Sequence, residues 1–215
     1  MKEKLTPYID YDAILRFLHY RKADVESSVI EKIDEALNIV YEKSAFLEVH
    51  KKYCVEIREN VLWLDNRIEL PYPSLVELLA PCDETFIVAC TLGHEISRRI
   101  KLETASNPAR AIILDSCASM VADAFAAYIQ STLGYTTNRF SPGYCEVPLS
   151  TQPIFAKLLD MERKTGIHLT AGNLMVPEKS IIYLAGVLDE PETRKQVSCL
   201  ECRKDCLYRK TNLNI

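Results

Sequence analysis

A chain of 215 residues with 48% hydrophobic and 26% charged content is long enough to bury one sizeable core, and no Pro/Gly/Ser-rich linker divides it. A formal net charge of −4 leaves no general basic surface for nucleic-acid phosphates, which argues against a nucleic-acid binder. The amino terminus has no signal-peptide core and no run is read as approaching membrane-spanning length, so the chain is expected in the cytoplasm and off the membrane, its eight cysteines thiols or metal ligands instead of a disulfide framework.

In chain order, residues 11–20 read as a first helix on the apolar stripe Ile14, Leu15, Phe17 and Leu18. A second is expected over 25–42, with Asp24 as N-cap and Val29, Ile30, Ile33, Leu37 and Val40 at helical spacing. Over 46–57 the pattern changes to alternation, and 61–64 and 67–70 flank Asp65-Asn66 as the arms of a hairpin. Ser74 is read as the cap of a short helix through Leu79, stopped by Pro81. The continuous apolar run 85–92, ended by Gly93, predicts a strand buried on both faces.

A helix follows, with Ile96 and Ile100 on one face and Arg98, Arg99 and Lys101 on the other. Asn107-Pro108 cap and open the longest helix, which is small or apolar nearly all round and stops at Gly134; it is expected to be central. The next helix is read over 154–164 with Ser150 or Thr151 as cap and Gly166 as its end, and strands are read at 167–170 and 180–188. Mixed helices and strands with an early hairpin predict an α+β fold with a twisted, largely antiparallel sheet and flanking helices. Residues 1–190 read as one domain and 191–215 as a short cysteine-containing tail.

Between two helices stands Arg139-Phe140-Ser141-Pro142-Gly143-Tyr144. Pro142 fixes its own φ and pushes Ser141 to extended geometry, while Gly143 suits the positive φ of a type II corner. A sharp bend of exposed backbone results, with the Arg139 fork of donors and the flat Tyr144 ring beside it. Other candidates fall away: His94-Glu95 opens like a zinc-protease helix, but Arg98 stands where a second histidine is needed, and His19, His50 and His168 have no partner at ligand spacing.

The 139–144 segment, followed by the helix ending at Lys164, Thr165-Gly166, Met175-Val176-Pro177 and Ser180, resembles the activation domain of cobalamin (vitamin B12)-dependent methionine synthase. Tyr8-Ile9-Asp10-Tyr11 and the alanine-rich 121–128 resemble two earlier elements of that family, in the same order. The resemblance implies that S-adenosylmethionine is bound by Arg139, Phe140, Ser141, Pro142, Gly143 and Tyr144, with Asp10 at its methionyl end. It implies a reactivation component, not a complete enzyme, that presents the methyl group for reductive methylation of cob(II)alamin held by a partner protein, with an external electron donor. The family's ligand-covering tyrosine has no match in 189–193, and its insertion before the arginine is absent. The expected partner is a methionine synthase lacking its own activation domain, or another corrinoid protein.

Cys199, Cys202 and Cys206, in Cys-x2-Cys-x3-Cys order with Arg203 and Lys204 among them, form a second constellation able to reach one zinc ion or Fe-S cluster. The alternative function this supports is a metal-binding redox or accessory module in another corrinoid methyltransferase system.

Overall fold

The computed structural model describes residues 1–20 and 25–191. Helix α1 (Lys2–Leu5), a 3-10 turn and α2 (Tyr11–Phe17) lead into α3 (Ser27–Lys43), then β1 (Leu47–Arg58), β2 (Val61–Leu64) and β3 (Ile68–Leu70). They are followed by α4 (Pro73–Leu79), β4 (Glu84–Thr91), α5 (His94–Ser106) and α6 (Pro108–Thr132). The chain closes with α7 (Gln152–Leu159), α8 (Met161–Thr165), β5 (His168–Leu169), β6 (Met175–Val176) and β7 (Ser180–Gly186). Five strands form one antiparallel sheet in the order β3-β2-β1-β4-β7, and β5 pairs with β6 separately.

Strand alternation divides the core into two layers. Val88 and Cys90 of β4 and Tyr183 and Ala185 of β7 join α3, α5 and α6 on one face. Ile87, Ala89, Ile182 and Leu184 point the other way, with α4, α7 and α8. Covered on both sides, β4 needs the continuous apolar run that marks it in the sequence. The hairpin forms where expected: Asp65 and Asn66 have φ of 49° and 54°, the double left-handed geometry of a type I′ turn.

Several local expectations are corrected. Helix α2 stops at Phe17, and α3 begins at Ser27, while Asp24 lies outside the described residues. Ser74 does not cap α4: Pro73 takes the first helical position, so Tyr72 is the N-cap residue, and the Ser74 amide is instead satisfied by Glu146. The helix read over 154–164 is two helices, parted at Asp160 with φ of 55°. The sequence is expected to hold no run long enough to span a membrane, yet α6 has 25 residues and a stretch of mean hydropathy 1.5. That stretch is 56% buried inside the fold, where α6 packs on α3, α5 and the sheet, so its apolarity serves the core.

Asn107 caps α6, its side chain accepting from the Arg110 amide at 3.1 Å. Because α6 runs across the sheet and ends near Gly134, the chain that leaves it returns along the free side of β7. The core helix and the outer strand therefore set the position of the 139–144 loop.

Candidate functional site

The segment after α6 is fastened to β7 by main-chain bonds. The Leu188 amide donates to Tyr135 and the Thr137 amide to Gly186, each at 2.9 Å, and Phe140 and Leu184 exchange two bonds of 2.9 Å. Pairing alternates sides along a strand, so the bonded Phe140 turns its ring to the face holding Leu184 and Phe155, and Arg139 turns to the face of α6.

There the Arg139 guanidinium meets two residues. Its Nη2 donates to Asp123 Oδ1 of α6 at 2.9 Å and its Nη1 to the Asp123 main-chain carbonyl at 3.4 Å, and its carbon lies 5.7 Å from the centre of the Tyr183 ring. Tyr183 is fully buried and donates its hydroxyl to the Ala126 carbonyl of α6 at 3.2 Å. Burial is the main cause that raises its phenol above the usual range, with Cys90 adding to it, so the ring stays neutral beneath the guanidinium. Arg139 keeps 24% of its side chain exposed and Asp123 keeps 56%. The fork is thus oriented from below and from one side, and still reaches solvent.

Beyond Arg139 the backbone turns as expected. Gly143 has φ of 98°, and a Cβ there would lie 2.9 Å from Leu149 Cδ2. Its amide donates to the Val147 carbonyl at 2.8 Å, and the Val147 amide donates to the Tyr144 carbonyl at 3.1 Å. Tyr144 stands out at 68% exposure, while Val147 is buried at 1%.

Asp10 occupies a different position. It caps α2, accepting from the Ala13 amide at 3.0 Å, and pairs with Arg16 at 3.3 Å. Partial burial raises its carboxyl, but the Ala13 amide and the Arg16 charge outweigh that and hold it below the usual range. Among the described residues no hydrogen bond or ion pair joins it to the 139–144 loop. Tyr8, two residues earlier, anchors this arm to α6 through its hydroxyl on Ser131 at 2.8 Å and its ring edge on Tyr128. A depression of about 370 Å³ beside this arm is lined by Tyr8, Gln130, Ser131, Tyr135 and Pro191, and neither Asp10 nor a residue of the 139–144 loop lines it.

Cys199, Cys202 and Cys206 lie outside the described residues, and among the described residues no group of three or more His, Cys, Asp or Glu is arranged around a metal position. Sequence reasoning missed Asp123 and Tyr183 as partners of Arg139. Asp123 lies inside the alanine-rich stretch already singled out, as a charge interrupting a buried helix, and that was its available signal.

No family model matches the chain, and no curated protein matches it. In fold it is similar to a crystal structure of the MetH reactivation domain bound to AdoHcy, with a TM-score of 0.69. The match covers 90% of this chain and 78% of that one, at 16% sequence identity. The two share their architecture along most of their length.

Proposed function

We propose that this chain, built on the fold of the MetH reactivation domain, is a stand-alone cytoplasmic reactivation subunit for a cobalamin-dependent methionine synthase that has no such module. It binds S-adenosylmethionine at the 139–144 loop and presents the methyl group to cob(II)alamin on the partner. The carrying observation is an Arg-x-x-Pro-Gly-Tyr loop hung from the edge of β7 in a fold shared with a domain bound to AdoHcy.

In this reading Arg139 takes the ligand carboxylate. Its guanidinium is already aimed by Asp123 and Tyr183, so little rotamer freedom is lost on binding. The ligand ammonium goes to Asp10, whose carboxyl is held ionised. Gly143 lets the ligand approach the main chain, and Tyr144 offers an exposed ring to the sulfonium. S-adenosylmethionine supplies the methyl cation; with one electron from an external reductant it converts cob(II)alamin to methylcobalamin, and S-adenosylhomocysteine leaves. No side chain has to move a proton. The protein contributes position, and the partner and reductant contribute the rest.

The test is reconstitution: a methionine synthase without its activation module is oxidised to cob(II)alamin, then given this protein, S-adenosylmethionine and a one-electron reductant. Return of the methylcobalamin absorption only when all three are present supports the reading, whereas no return, or equal return without the protein, overturns it.

A further inference from the structure

The two ends of the 139–144 loop are fastened to different parts of the molecule. At the near end Phe140 is bonded to β7. At the far end the chain descends through Val147 into the lower core, and Glu146, beside Val147, reaches α4: its Oε1 accepts from the Ser74 amide at 2.7 Å. Tyr72, the N-cap residue of α4, makes no side-chain capping bond. An orphan amide in the first turn of that helix is therefore satisfied from 72 residues away in sequence. A carboxylate against a main-chain donor at a helix start is a charge-assisted contact.

We propose that Glu146 is a positioning residue for the ligand loop, a brace that fixes the Gly143–Val147 turn to the body of the protein. The functional part rests on the reading of this loop as the S-adenosylmethionine site. Three observations define what the brace holds. Gly143 and Cys145 both have positive φ, at 98° and 53°, so the turn is held in a shape that most residues resist. Tyr144 between them is exposed and packs on little. The turn's own bonds, Gly143 to Val147 and Val147 to Tyr144, are local and do not fix its place relative to β7. Phe140 at one end and Glu146 with Val147 at the other do, and the Arg139 fork and the Gly143 main chain are thereby set at a constant separation.

The test compares Glu146→Ala and Glu146→Gln in the full chain. Glutamine keeps one acceptor oxygen for the Ser74 amide and replaces the other with an uncharged amide donor. Amide hydrogen exchange at Gly143 and Val147 is read without ligand, alongside the melting temperature, and S-adenosylmethionine affinity is read by calorimetry. The proposal expects exchange at both amides to quicken about tenfold or more in the alanine variant. It expects affinity to fall about five- to tenfold there, and glutamine to restore both to within about twofold of wild type. Unchanged exchange in Glu146→Ala, or quickened exchange with unchanged affinity, overturns it. If the wild type binds no S-adenosylmethionine, the functional reading fails, and the exchange data alone still decide whether Glu146 holds the turn.

Discussion

Arg139 of the ligand loop and Asp123 of α6 form an ion pair of 2.9 Å across a gap of 16 residues, and the guanidinium also lies over the buried Tyr183 ring. The pair is partly exposed, so water screens it and its contribution to stability is small. A double-mutant cycle of Arg139→Ala and Asp123→Ala, measured by urea unfolding, should give a coupling of about 1 kcal/mol or less. A coupling above about 3 kcal/mol would mark a buried structural bridge and remove Arg139 from the set of groups available to a ligand.

Tyr183 supports Arg139 from beneath, and its hydroxyl holds the Ala126 carbonyl in a fully buried place. Tyr183→Phe keeps the ring under the guanidinium and loses one buried hydrogen bond. Unfolding free energy should drop by about 1 kcal/mol while ligand affinity changes by less than about threefold. A loss of binding with unchanged stability would show that the hydroxyl acts on the ligand and not on the helix.

Gly143→Ala places a methyl group against Leu149 at a positive φ. Leu149 Cδ2 is the end of a flexible side chain and can shift, so the backbone is the larger cost, about 1 kcal/mol of stability. The altered turn should weaken S-adenosylmethionine binding by more than that penalty alone, since it also crowds the main chain. Calorimetry beside thermal melting checks this; wild-type affinity in a destabilised variant would place the ligand away from the turn.

Burial pushes the Cys90 thiol up to about 12 from an ordinary 9.0. The folded state therefore keeps a proton that the unfolded chain gives up, and the associated stability is whole below pH 9 and falls as pH rises toward 12. Cys90→Ala should lose about 1 kcal/mol less than wild type between pH 8 and pH 10 in urea melts. Cys54 and Cys145 are exposed and should alkylate in the native protein, whereas Cys90 and Cys117 should react only on unfolding, as peptide mapping would reveal. Equal alkaline loss in both proteins would contradict the burial of Cys90.

Features written in neighbouring residues were legible in the sequence. Asp65-Asn66 tolerates left-handed backbone and gives the hairpin, Asn107-Pro108 opens α6, and the apolar run through Ile87 and Val88 marks the strand covered on both faces. The 139–144 turn was legible for the same reason, because Pro142 and Gly143 define it locally. What was missed depends on distant partners. Nothing near Ser74 says that Glu146 will serve its amide, and nothing near Arg139 says that Asp123 and Tyr183 will hold it. The break at Asp160 has neither glycine nor proline to announce it; the residue takes a left-handed conformation between α7 and α8, which seat Phe155 and Met161 in one core.

Calorimetric titration of S-adenosylmethionine into the wild type and Arg139→Ala decides whether the 139–144 loop holds the ligand. Loss of a charge-assisted contact of about 1.5 to 3 kcal/mol predicts saturable binding to the wild type and affinity roughly tenfold or more weaker in the variant, with little change in melting temperature. Absence of binding to the wild type, or equal affinity in the two proteins, would contradict the account.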